Sequence, residues 1–215
     1  MTSSQPQHDR LPVVVLISGN GSNLQALMDR CQHIQIRAVI SNRADAHGLT
    51  RARQAGIPTQ VLSHKHYPDR ASYDQALMKL IDGYQPQLVI LAGFMRILTP
   101  DFVRHYLGHL LNIHPSLLPK FPGLDTHQRA LDNAESQHGA SVHFVTEELD
   151  GGPVIAQASV PVLAADTAQS LAARVHQAEH GLYPVVVDWF AQGRLRLSGA
   201  EAELDGQRLD HPLQS

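Results

Sequence analysis

Leu11-Pro12-Val13-Val14-Val15-Leu16-Ile17-Ser18 runs directly into Gly19-Asn20-Gly21-Ser22-Asn23, and this junction decides how the rest of the chain is read. The first stretch is apolar without alternation and rich in β-branched residues, the pattern of a strand buried on both faces. The glycines punctuate it. Ser22 or Asn23 can then cap a helix in which Leu24, Leu27, Met28 and Cys31 recur at helical spacing.

Working outward, the same strand-then-helix grammar repeats. Ile34 to Ser41 reads as a strand, about Asp45 to Ala55 as a helix closed by Gly56, and Thr59 to Leu62 as a short strand. A helix from about Arg70 to Tyr84 precedes Leu88 to Ala92, the most apolar segment. A helix near Pro100 to Tyr106 and a strand at Leu110 to His114 follow. Such alternation implies βαβ crossovers, hence an α/β fold: a Rossmann-like, mostly parallel twisted sheet with helices on both faces.

After His114 the grammar changes, because Pro115, Pro119 and Pro122 enforce a loop before a helix around Asp125 to Glu135. Ala140 to Thr146 and Val154 to Val162 read as a hairpin-like pair across the turn Asp150-Gly151-Gly152-Pro153, so antiparallel strands are expected in the C-terminal half. A long helix from about Thr167 to Gln192, with Pro184 as its expected kink or break, leads to a short strand at Arg194 to Leu197. There is no internal repeat.

The chain has 215 residues, 43% of them hydrophobic, enough for one domain with a substantial core. A net charge of -3 supplies no global field toward nucleic acid or an anionic membrane, so any bound anion must be held locally. The single cysteine, the polar N-terminus and the lack of a long apolar run suit a cytoplasmic protein with no membrane partner. Two of the 14 histidines' pairings, His105 with His109 and His176 with His180, have i, i+4 spacing. Neither comes with a thiolate cluster or an H-E-x-x-H motif, and we expect no metal.

The glycine loop falls where a helix N-terminus presents unpaired N–H groups and partial positive charge, so a phosphate is its expected occupant. Leu24 stands where a dinucleotide fingerprint needs its third glycine, and the P-loop lysine is missing. Ser41-Asn42-Arg43 could still suit the 2′-phosphate of NADP, and a purely structural tight turn also fits.

Asn112 and His114 are two apart on a strand and share a face, at the end where open α/β sheets bind ligands. An amide and an imidazole there can both donate to an oxygen that gains charge, and the imidazole can move a proton. Asp150 would favour the charged ring if the hairpin packs beside that strand. Taken alone, each has a plain reading as a backbone-satisfying side chain or a turn residue.

Five stretches together carry a resemblance: Ser18-Gly-Asn-Gly-Ser-Asn23, Leu91-Ala-Gly-Phe-Met-Arg-Ile-Leu98, Leu111-Asn-Ile-His-Pro-Ser-Leu-Leu-Pro-Lys120, Gly139-Ala-Ser-Val-His-Phe-Val-Thr146 and Leu149-Asp-Gly-Gly-Pro153. In order and spacing they resemble the phosphoribosylglycinamide formyltransferases, folate-dependent enzymes of purine synthesis, over about Val13 to Arg196. The resemblance implies a formyltransferase domain at 11–198, with a phosphate-binding half (11–110) and a catalytic and folate-side half (111–198). A polar extension (1–10) and a tail (199–215) would flank it.

The resemblance also implies roles. Gly21, Ser22 and Asn23 would hold the substrate phosphate and Glu179 the ribose. Arg70, Met95, Arg96, Ile97, Leu98 and Asn112 would contact the folate, and Asn112, His114 and Asp150 would be catalytic. The co-substrate would be 10-formyltetrahydrofolate and the acceptor glycinamide ribonucleotide, with no metal, no NAD(P) and no nucleic acid, in a monomer or homodimer. The nearest rival, formyltetrahydrofolate deformylase, carries an added N-terminal domain, whereas only ten residues precede the first strand here. Methionyl-tRNA formyltransferase has a further RNA-binding domain. A dehydrogenase or nucleotide-binding module would leave Asn112, His114 and Asp150 unexplained.

Overall fold

A computed structural model describes residues 10–214; the polar extension falls outside them except for Arg10. Strand β1 (Leu11–Ile17) is followed by α1 (Ser22–Arg30), β2 (Ile34–Ser41), α2 (His47–Gln54), β3 (Thr59–Val61) and α3 (Arg70–Asp82). Then come β4 (Leu88–Leu91), α4 (Pro100–His105), β5 (Leu110–His114), α5 (Thr126–Asp132), β6 (Gln137–Phe144) and β7 (Val154–Pro161). Helix α6 (Ala168–Ala191) leads to β8 (Leu195–Ser198), β9 (Glu201–Leu204), β10 (Gln207–Arg208) and β11 (Leu213–Gln214).

The main sheet has the order β11-β7-β6-β5-β4-β1-β2-β3. From β3 across to β5 every neighbouring pair is parallel, whereas β6 lies antiparallel to both β5 and β7. Chain order reverses direction across the sheet between β1 and β4. That is the switch point where the loops leaving the carboxyl ends diverge and open a crevice.

Both faces of β1 are buried, as its unbroken apolar run requires. Val13, Val15 and Ile17 pack on one side with Leu24 and Leu27 of α1, Leu49 of α2 and Val175 of α6. Val14 and Leu16 pack on the other with Tyr73 and Leu77 of α3 and Phe102 of α4. Each strand side chain therefore meets a helix, which is why continuous apolarity, rather than alternation, marks these strands.

One expectation, a break at Pro184, is corrected. Helix α6 passes through Pro184 without a break. Proline cannot donate to the carbonyl four residues back, that of His180, and Arg30 Nη1 donates to this oxygen instead at 3.1 Å. Leu182, Tyr183, Val186 and Val187, all buried, hold the helix against the sheet on both sides of the proline. Within the stretch that the sequence offers only as a tail, residues 201–214 contribute three short strands. From Glu201 the chain returns as β9 beside β8, burying Ala202, and β11 extends the main sheet by pairing in parallel with β7. Two-residue strands and a polar composition carry no periodic signal to read beforehand.

Candidate active site

The carboxyl ends of β1, β4 and β5 lie side by side, with Leu16 opposite Leu91 and Leu91 opposite Asn112. Three loops therefore leave from one edge: the glycine loop, the 92–99 segment, and the proline loop after His114. Ser18 joins the first two, because its hydroxyl donates to Asn42 Oδ1 at 2.6 Å and accepts from the Met95 amide at 2.8 Å.

Gly21 caps α1 in a left-handed conformation, φ 76°. A Cβ there would stand 2.5 Å from the Gly48 Cα, so both backbone geometry and close approach require glycine. No side chain caps the helix. The N–H groups of its first turn thus remain available to an outside acceptor. Two residues after Gly21, Asn23 Nδ2 donates to Glu179 Oε2 at 2.8 Å, which ties α6 to this helix start. Burial raises the Glu179 carboxyl above its ordinary range, and the Asn23 hydrogen bond partly opposes that shift.

At the end of β5 the antiparallel register sets Asn112 opposite His143 and His114 opposite Ser141. Residues directly opposed on neighbouring strands share a face, and Asn112 Nδ2 lies 3.1 Å from His143 Nε2. His143 Nδ1 stands 2.9 Å from the Phe144 carbonyl oxygen, which can only accept, so the proton is on Nδ1 and Nε2 accepts from Asn112. Burial pushes the His143 ring down toward its neutral form, consistent with that pattern. Its 3.8 Å approach to Asp150 is therefore a contact of a neutral ring rather than an ion pair. The amide of Asn112 is held in one orientation, with its second N–H left over.

His114 is buried. Its Nε2 donates to the Phe121 carbonyl at 2.9 Å, and its Nδ1 faces Asp150 Oδ2 at 3.5 Å. The same Asp150 oxygen accepts from the Gly123 amide at 2.8 Å. Asp150 itself has φ 52°, a left-handed conformation that aspartate tolerates better than most residues. Two residues on, a Cβ on Gly152 would fall 1.8 Å from the Phe144 carbonyl oxygen. Asp-Gly-Gly is therefore more than a turn: the glycine lets the loop fold tightly on β6 and carry the carboxylate back to the imidazole.

On the folate side expected from the sequence, Met95 and Ile97 are exposed, at 66% and 56%, while Arg96 and Leu98 are half-buried. The Arg96 guanidinium lies 4.5 Å over the Tyr73 ring, and its Nε is buried without a partner. Arg70 opens α3 and is exposed, one turn from Tyr73.

The structure thus joins Asn112, His114 and Asp150 through His143 and the proline loop, and joins Asn23 to Glu179. Arg70 belongs to neither group. His143, Ser18 and Gly152 were not singled out from the sequence; only the β5–β6 register, which the sequence does not disclose, sets His143 against Asn112. His109 lies beyond the end of α4, so His105 and His109 do not share a helical face. Among the described residues no group of three or more His, Cys, Asp or Glu is arranged to hold a metal ion, and no helix is long and apolar enough to cross a membrane.

The family described as formyl transferase matches residues 11–187. The chain belongs to this formyl transferase family. Over 201 residues it is 60% identical to the phosphoribosylglycinamide formyltransferase of Escherichia coli, covering 92% of this chain and 95% of that one. The human trifunctional purine biosynthetic protein adenosine-3 is 46% identical over 189 residues, which make up 86% of this chain and 19% of that larger protein. Among solved structures, the phosphoribosylglycinamide formyltransferase of Coxiella burnetii superposes with a TM-score of 0.91 at 52% identity, covering 95% of this chain and 99% of that one. Glycinamide ribonucleotide transformylase 1 of Symbiobacterium toebii gives 0.89 at 42%, covering 94% and 98%. This formyl transferase therefore shares its architecture with those enzymes along nearly its whole length.

Proposed function

We propose that the chain is a phosphoribosylglycinamide formyltransferase. It moves the formyl group of 10-formyltetrahydrofolate to the amine of N1-(5-phospho-D-ribosyl)glycinamide, releasing the N2-formyl product and tetrahydrofolate in purine biosynthesis. The observation that carries this reading is the convergence of Asn112, His114 and Asp150 beside the crevice, in a chain 60% identical to an enzyme of that name. A cytoplasmic location goes with it, since a reducing compartment suits a chain whose one cysteine is free.

The folate supplies the formyl carbon, carried on N10, and needs neither metal nor nicotinamide beside it. Gly21, Ser22 and Asn23 hold the phosphate of the acceptor and Glu179 its ribose, which brings the amine to the carbon. Asn112 directs its remaining N–H at the formyl oxygen as negative charge builds there, stabilisation that typically contributes about 10²–10³ in rate. His114 works by proton transfer: the proton shed by the attacking nitrogen goes to N10 as the N10–carbon bond breaks. Asp150 faces the ring from the other side, its Oδ2 3.5 Å from Nδ1, and orients the imidazole. In this conformation Nε2 is engaged by the Phe121 carbonyl, so His114 exchanges that partner for a substrate atom before it acts. Met95 to Leu98 and Arg70 take the folate.

An absorbance assay of tetrahydrofolate release, run with and without the glycinamide ribonucleotide, tests the assignment. Product formed only with the amine is expected. Equal release in its absence would make the enzyme a hydrolase and overturn the reading.

A further inference from the structure

Two backbone carbonyls of the glycine loop point away from the crevice and into α2. The Gly19 oxygen accepts from the Gly48 amide at 3.1 Å. The Asn20 oxygen accepts from Arg51 Nε at 3.0 Å, and the same guanidinium reaches Asn20 Oδ1 through Nη2 at 2.9 Å and Gln25 Oε1 through Nη1 at 3.5 Å. Arg51 is thus a fork spanning both oxygens of one loop residue, with a third donor on the first turn of α1.

The consequence follows from peptide geometry. In a planar trans peptide the C=O and the next residue's N–H point in opposite directions. Drawing the Gly19 and Asn20 oxygens into α2 turns the Asn20 and Gly21 N–H groups the other way, away from α2. A loop free to flip either peptide would present a carbonyl oxygen to an anion and repel it. Gly48 can hold its carbonyl only because α2 and the loop meet backbone to backbone, glycine on glycine. Arg51 holds the other and brings a permanent positive charge behind the loop. A hollow of about 250 Å³ beside it is lined by Ser22, Gln25, Asp29, Arg30, Arg51 and His180, so the positive side chains there outnumber the one carboxylate.

We propose that Arg51 is a positioning residue for the substrate phosphate, fixing the glycine loop so that its N–H groups face the anion and adding charge behind them. This rests on reading Gly21 to Asn23 as the phosphate subsite.

The test compares Arg51→Ala, Arg51→Lys and Asn20→Ala with the unaltered enzyme. KM and kcat are measured for each substrate, together with the inhibition constant of inorganic phosphate against glycinamide ribonucleotide. Loss of a charge-assisted clamp predicts a KM for the ribonucleotide and a phosphate inhibition constant both raised about tenfold in R51A. The kcat and the folate KM should stay within about twofold, a split that general loosening of the fold does not produce. Arg51→Lys keeps the charge but loses the rigid planar fork that spans both Asn20 oxygens, and should fall between; combining R51A with N20A should add little to R51A alone. If R51A does not fold, the lysine and Asn20 variants carry the same readout. Unchanged phosphate inhibition in variants that fold, or parallel loss of kcat and both KM values, would overturn the role of Arg51. Phosphate that fails to compete in the unaltered enzyme would instead overturn the subsite reading.

Discussion

Asn112 and His143 face each other across the β5–β6 pairing, and the amide donates to the ring at 3.1 Å. Because the ring's other nitrogen is committed to the Phe144 carbonyl, the imidazole has only an acceptor to offer, and it selects one of the two orientations of the amide. Replacing His143 with Phe keeps an aromatic core but frees the amide to rotate. We expect kcat to fall by about 10–10² with substrate KM values little changed, somewhat less than deletion of the oxyanion donor itself. Steady-state kinetics beside Asn112→Ala checks this: an H143F enzyme with full kcat would show that Asn112 needs no such guide.

His114→Ala and Asp150→Asn are each expected to lose about 10²–10⁴ in kcat. Because neither touches the glycine loop, the inhibition constant of inorganic phosphate should stay near that of the unaltered enzyme. Asp150→Asn retains an oxygen that can accept from Gly123, so its fold should persist. Full transfer activity in either variant would remove the imidazole–carboxylate pair from the mechanism.

Gly19 and Gly152 separate glycines that are needed from those that are not. A Cβ on Gly19 meets nothing within 4 Å, whereas on Gly152 it would stand 1.8 Å from a backbone oxygen that cannot move without distorting β6. Gly19→Ala should leave stability within about 0.5 kcal/mol. Gly152→Ala should cost roughly 1–3 kcal/mol or more and lower activity by displacing Asp150. Urea unfolding of the two variants measures both effects, and equal midpoints would contradict the packing described.

Acid stability is set partly by His127 and His138, 3.1 Å apart through Nδ1 and Nε2. Burial first, then the neighbouring His138, His176 and His114, pushes the His127 ring down to about 4, and burial lowers His138 as well. The unfolded chain protonates these rings near roughly pH 6.5, while folded His127 does so only near 4. Below the unfolded value the unfolded state therefore binds more protons. The stability contributed by a neutral His127 is fully present above about pH 6.5 and is lost as pH falls toward 4. His127→Gln should flatten this part of the stability profile; a slope that persists unchanged would assign it to other groups.

The parallel half was legible because a strand covered on both faces must be apolar at every position. Val13 to Ile17 and Leu88 to Leu91 announce themselves that way, and Gly21 marks the turn between strand and helix. The continuation of α6 through Pro184 was not legible, since a carbonyl left without a donor is rescued by Arg30, about 150 residues away in sequence. Strand β11 was hidden for a related reason: two residues cannot show a period, and their partner is β7.

What the chain determined by itself is therefore everything that depends on local periodicity and residue chemistry: the alternating elements, the glycine loop, and an amide and imidazole on one face of β5. What the tertiary structure alone decided is which partners those groups meet: His143 on Asn112, Phe121 and Asp150 on His114, Arg51 on Asn20. Strand register and loop packing set these pairings through contacts between distant segments, and no local pattern encodes such contacts because each depends on the whole sheet being assembled first.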